Sequence, residues 1–110
     1  MILITIMITY QKLNNEQQDL EADKCVVNFI KGMIVARKMR KLNNKKFASM
    51  VGVTESYLSQ VVNSIEPKRK TKELSGQLMF KIANTLQSTV DLLIFYGNHY
   101  DYYMNSLPSK

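Results

Sequence analysis

The stretch that most constrains this chain runs from Asn44 to Asn63, NKKFASMVGVTESYLSQVVN. Its apolar residues predict two short helices around a tight turn at Gly52-Val53. Phe47, Ala48 and Val51 fall at i, i+1 and i+4, and Leu58, Val61 and Val62 fall at i, i+3 and i+4. Each set makes one apolar stripe. Gly52 stands where the first helix must stop, in a position most easily left-handed and therefore most easily glycine. Thr54 follows as an N-cap, its hydroxyl accepting from an amide that has no partner inside the helix. Ala48 is small where the two helices must approach. The second helix also carries a polar face of Glu55, Ser56, Ser59, Gln60 and Asn63. Short, hydrogen-bonding and largely uncharged, that face suits base edges in a groove better than simple solvation.

Charge gathers around this unit. The chain has 110 residues and a net charge of +6. Residues 31–72 hold eleven Lys or Arg against Glu55 and Glu66, a local +9, whereas residues 1–30 carry −2 and residues 73–110 carry −1. Such a concentration is the footprint expected of a phosphate-backbone binder, a solvated basic surface being the plainer alternative. The length fits one domain with a core that needs no staples. Cys25 is the single cysteine, so no intrachain disulfide forms, which is compatible with the reducing cytoplasm expected as the location but does not establish it. With one His besides, neither a metal nor a cofactor is expected.

Taken in order, the chain opens on MILITIMITY, apolar and rich in β-branched residues. Ten residues are too few to span a bilayer, and the basic start and small-residue cleavage site of a secretory signal are missing. Alternation predicts a short N-terminal β-strand, paired with a second copy or with the C-terminal tail. Met7 offers an internal start. Asn14-Asn15 is a break or a cap, with helix starting near Glu16 or near Asp23. From there to about Leu42 the apolar face is Val26, Phe29, Ile30, Met33, Ala36 and Arg37. Arg37 on that side pairs with a carboxylate or reaches a phosphate. Asn43 caps the next helix, and Lys45 and Lys46 occupy its first turn, where the helix dipole disfavours cations unless an anion lies nearby.

After Asn63, Pro67 and the run Lys68-Arg69-Lys70, with Lys72, mark an exposed loop. Ser75 caps a helix with Leu78, Met79, Ile82, Ala83 and Leu86 on its core side. Thr89 caps a last helix with Val90, Leu92, Leu93 and Ile94, which Gly97 can end. The tail holds Tyr100, Tyr102, Tyr103 and Met104, a cluster expected in a dimer seam or a packed tail. The organisation read from this pass is an N-terminal extension (1–22), a helical domain (23–97) and a C-terminal tail (98–110).

Phe29…Met33…Ala36-Arg37, NNKKFASMVGVTESYLSQVVN, SGQLMFKIANTL and STVDLLI together resemble the lambda-repressor and Cro-like helix-turn-helix domain of the XRE family, over about 65 of the 110 residues. The resemblance implies an all-α, five-helix domain whose third helix enters the major groove of double-stranded DNA. By motif position it places Glu55, Ser56, Ser59 and Gln60 at base edges and Asn44 and Asn63 at phosphates. Gln60 then pairs with adenine and Glu55 accepts from cytosine N4. The alternatives are a solvated helix face for the serines and Gln60, and a helix-dipole role for Glu55. The loop at 64–74 is longer and more basic than the family's usual connection, and Lys68, Arg69, Lys70 and Lys72 are expected to add phosphate or minor-groove contacts there, with Lys45 a further phosphate contact.

The function implied is sequence-specific transcriptional regulation, by a repressor acting as a homodimer. A DNA-binding antitoxin that holds a toxin partner is the second reading, and an interaction module that kept the fold is the third, with Tyr57 its one hint. An enzyme is not expected, since no glycine-rich phosphate loop, paired carboxylates or nucleophile-base set is present.

Overall fold

Side-chain caps set the element boundaries. A computed structural model describes residues 14–66 and 73–107, and their regular structure is all helical. Six helices follow one another: α1 (Asn15–Met39), α2 (Asn44–Val51), α3 (Glu55–Asn63), α4 (Gly76–Thr85), α5 (Val90–Asn98) and α6 (Tyr100–Ser106). Asn14 accepts from the Gln17 amide at 2.8 Å, and the Gln17 side chain accepts from the Asn14 amide at 3.0 Å. This capping box starts α1 at Asn15, the earlier of the two starts expected. The boundary drawn at 22/23 therefore falls inside a helix. Asn43, Thr54, Ser75 and Thr89 cap α2 to α5 through single bonds of 2.7 to 3.1 Å, as their positions predict.

The all-α class thus holds for the described residues, with six helices in place of five. The sixth is built from the tail. The N-terminal strand expected over 1–10 and the loop residues Lys68, Arg69, Lys70 and Lys72 lie outside the described residues.

The core is organised on α1. Phe29, Ile30 and Met33 are fully enclosed, as the periodicity predicts. Ile34 and Val35, on the other side of the same turns, are buried too, so the middle of α1 is surrounded. Phe47, Leu58, Val61, Ile82, Leu86 and Leu93 bring one or more side chains from each of α2 to α5, or from their ends, into the same cluster. Among the described residues Arg37 pairs with no carboxylate. Its Nη1 donates to the Leu42 carbonyl at 2.9 Å, and burial pushes its pKa below the ordinary value, by desolvation. It closes the short connection from α1 to α2, where Lys41 takes a left-handed φ of 57°. Arg40 Nε donates to the Leu86 carbonyl and ties the end of α1 to the end of α4.

Helices α1 and α5 pack in opposite directions with their backbones almost touching. A Cβ added at Gly32 would lie 1.7 Å from the Leu93 carbonyl oxygen, and one at Gly97 would lie 1.8 Å from the Asn28 carbonyl oxygen. Asn28 also donates to Asn98 at 2.9 Å across the same crossing. Gly97 therefore does not end its helix. It is buried within α5, and the cap falls at His99. Glycine is needed here for approach rather than for a turn.

Gly52 is the opposite case. It terminates α2 with φ 90°, and an added Cβ would meet nothing within 4 Å. Gly52→Ala is expected to cost about 1–2 kcal/mol from backbone strain alone, readable as a lowered melting temperature with an unchanged helical spectrum.

The aromatics of the tail are largely packed. Tyr103 meets Tyr96 edge-on at 4.9 Å between centroids, and the Lys31 ammonium stands 5.7 Å from the Tyr100 ring centroid. Tyr102 remains exposed. No helix of the described residues is long and apolar enough to cross a membrane.

Candidate nucleic-acid interface

Helices α2 and α3 meet across the turn that their sequence predicts. The Gly52 and Val53 amides both donate to the Ala48 carbonyl, at 2.9 and 3.0 Å. That double closure lets the chain reverse within two residues, and Thr54 then opens α3 by accepting from the Tyr57 amide at 3.0 Å. Ala48, only 2% exposed, lies under the turn with Val51, while Leu58 and Val61 anchor α3 from the other side. These anchors fix which face of α3 points out.

The outward face is polar throughout. Glu55, Ser56, Gln60 and Asn63 are exposed, and Ser59 sits at the margin, half-buried. Tyr57 leans against the core, so α3 offers no exposed apolar side chain. The four side chains expected at base edges thus share one helix, three of them well exposed. Glu55 is also in the first turn, where the helix dipole favours an acid.

The residues expected at phosphates divide. Lys45 is exposed in the first turn of α2, beside Lys46, whose amide is held by the Asn43 cap. Asn63 is exposed at the last turn of α3. Asn44 is half-buried and its Oδ1 is enclosed with no hydrogen-bond partner. A carbonyl oxygen is no partner for an anion, so only the amide nitrogen of Asn44 can serve a phosphate. Lys68, Arg69, Lys70 and Lys72 lie outside the described residues.

Two residues escaped the sequence reading. Ser49 and Met50 line a shallow concavity on α2 together with Asn43, Lys45 and Lys46, and Met50 is 52% exposed. The signal was present: Met50 falls off the stripe of Phe47, Ala48 and Val51, and a large apolar residue off the stripe is turned to the outside. Among the described residues no group of three or more His, Cys, Asp or Glu side chains could hold a metal ion. Cys25 is exposed on α1.

Comparison with family models, with curated proteins and with solved structures finds no match for this chain.

Proposed function

We propose that the chain binds double-stranded DNA sequence-specifically and regulates transcription as a repressor, with a lambda-repressor-like arrangement of its helices and α3 in the major groove. The observation that carries this reading is the wholly polar outer face of α3, held by a short two-helix unit within the most basic part of the chain. A helix face meant only for solvation is usually laced with paired charges. This one has a single acid and short hydrogen-bonding side chains that suit the donor and acceptor pattern of base edges. Glu55, Ser56, Ser59 and Gln60 are the proposed reading residues. Lys45, Asn63 and the Lys68–Lys72 loop are the proposed phosphate contacts, with Asn44 reduced to its amide nitrogen. A homodimer would set two such helices about 34 Å apart on successive grooves.

The test is fluorescence anisotropy with duplexes selected from a random pool, titrated across salt. Affinity should fall steeply and linearly on logarithmic axes as salt rises. Ser56→Ala with Gln60→Ala should narrow the gap between selected and scrambled duplex about tenfold or more, on the scale of one bidentate base contact. Replacing Lys68, Arg69 and Lys70 by Ala should weaken all duplexes alike and reduce the salt slope by about three. Failure of any duplex to bind, or binding without a salt slope, overturns the reading.

A further inference from the structure

The first half of α1 has no cover among the described residues. Every residue from Asn14 to Cys25 is exposed, and full burial begins only at Phe29. A helix in a folded protein takes most of its stability from packing one face, and this stretch packs none. Its charges add to the deficit. At 100° per residue Glu16, Asp19 and Asp23 fall within an arc of about 60°. Acids three and four residues apart on one face repel each other. The helix dipole favours Glu16 in the first turn, but Asp19 and Asp23 lie beyond it. Lys24 does not relieve them, because it pairs at 3.4 Å with Glu21, on the opposite side of the helix. Among the described residues no cation pairs with Glu16, Asp19, Asp23 or Glu73.

These acids border apolar surface. Ala22, Val26 and Leu74 line a cleft between α1 and the segment leading into α4, together with Asp19, Asp23 and Glu73. Val26 and Leu74 are half-buried against the core and form its floor, while Ala22 is exposed. Leu20, 56% exposed, lies in a second concavity with Glu16, Gln17 and Asp23. Asp23 belongs to both, so the two are continuous along the helix.

We infer that this face seats a partner protein through a basic amphipathic helix. Its apolar stripe packs on Ala22, Val26 and Leu74. The lysines or arginines bordering that stripe meet Asp19 and Asp23 on one rim and Glu73 on the other, and their methylene stems cover Leu20. Charge complementarity selects this partner. Four carboxylates repel the phosphates of nucleic acid and of an anionic membrane, and an uncharged helix would desolvate them without pairing them. The net charge of +6 does not turn a basic partner away. Past Lys24 the next cation is Lys31, about 12 Å along the helix from Asp23, and exposed charges farther apart than about 8 Å are largely screened at physiological salt. The inference does not rest on the DNA reading, whose residues stand on α2, on α3 and in the loop after it.

The probe is a synthetic helix of about 18 leucines and lysines with its apolar positions at i, i+3, i+4 and i+7, titrated against the full chain at physiological salt and followed by fluorescence anisotropy. It should bind one to one, and about tenfold more tightly than a shuffled peptide of the same composition, which has no stripe to place in the cleft. Asp19→Asn with Asp23→Asn should weaken binding about fivefold, the scale of two exposed ion pairs, with helix content undiminished because a repulsion is removed. Ala22→Lys, at an exposed position, should abolish the difference between the two peptides. Asp91→Asn with Asp101→Asn, acids of α5 and α6, should change nothing. Hydrogen exchange should slow over residues 15–26 when the striped peptide binds. Equal affinity for the two peptides overturns the inference, as does binding that ignores the substitutions at 19 and 23, or protection that falls elsewhere. So does a peptide that binds only once residues 1–13 are removed or Lys68, Arg69, Lys70 and Lys72 are replaced by Ser, since the face then belongs to the chain's own segments. Self-association that disappears with the same Asn substitutions gives the face to a second copy and also overturns it.

Discussion

Gly32→Ala is expected to lower the stability of the whole protein by about 3 kcal/mol or more, and the melting temperature by more than about 10 °C. One methyl group has this effect because its nearest neighbour is backbone. The added Cβ would lie 1.7 Å from the Leu93 carbonyl oxygen and 2.9 Å from the Leu93 Cα. No rotamer change relieves such an overlap, so α5 must move off α1 along their shared length. That separation also strains the Gly97 crossing and the Asn28–Asn98 hydrogen bond. Gly76→Ala is the matched control. It lies at the first position of α4 with open space around it, and the same methyl group there should stabilise by several tenths of a kcal/mol, through a less flexible unfolded chain. Thermal melts of the two variants side by side check both signs. Equal effects at Gly32 and Gly76 would rule out the close approach of α1 and α5.

Phe47→Ala is the second large effect, with an expected loss of about 3–5 kcal/mol. Phe47 has no exposed surface and is the largest side chain that α2 inserts into the core. Its ring fills space between α2 and the cluster built on Phe29, Ile30 and Met33. Truncation leaves a cavity that a chain of this size cannot close by local relaxation. Because α3 is positioned through α2, hydrogen exchange should report opening of both helices before global unfolding. Phe80→Ala changes the same residue type in the same way, but Phe80 is 64% exposed, and its effect should stay within about 0.5 kcal/mol. Urea denaturation of the pair separates the burial argument from any general intolerance of phenylalanine loss.

These contrasts show how much was legible in the chain before any coordinates. Caps are local chemistry: a side chain and an amide three residues on. Asn43, Thr54, Ser75 and Thr89 could therefore be read directly, as could the left-handed Gly52. Periodicity located Phe47, Leu58 and Val61 in the core, and it left Phe80 and Met50 off their stripes. The polar outer face of α3 was legible for the same reason, since the apolar stripe of a helix fixes which residues lie opposite it.

What the sequence alone determined is the starts of α2 to α5 and the inward faces of α2 to α4, because both follow from interactions within a few residues. Only the tertiary structure decided which helices touch and how closely. Gly32 looks like an ordinary small residue, and Gly97 like a helix end, until α1 and α5 are brought to backbone contact. Arg37 is a cation on an apolar face until the chain turns back and brings the Leu42 carbonyl to it. Leu92 and Leu93 are adjacent and chemically identical, yet one is 40% exposed and the other 0%. That difference is set by where α1 lies, not by either residue.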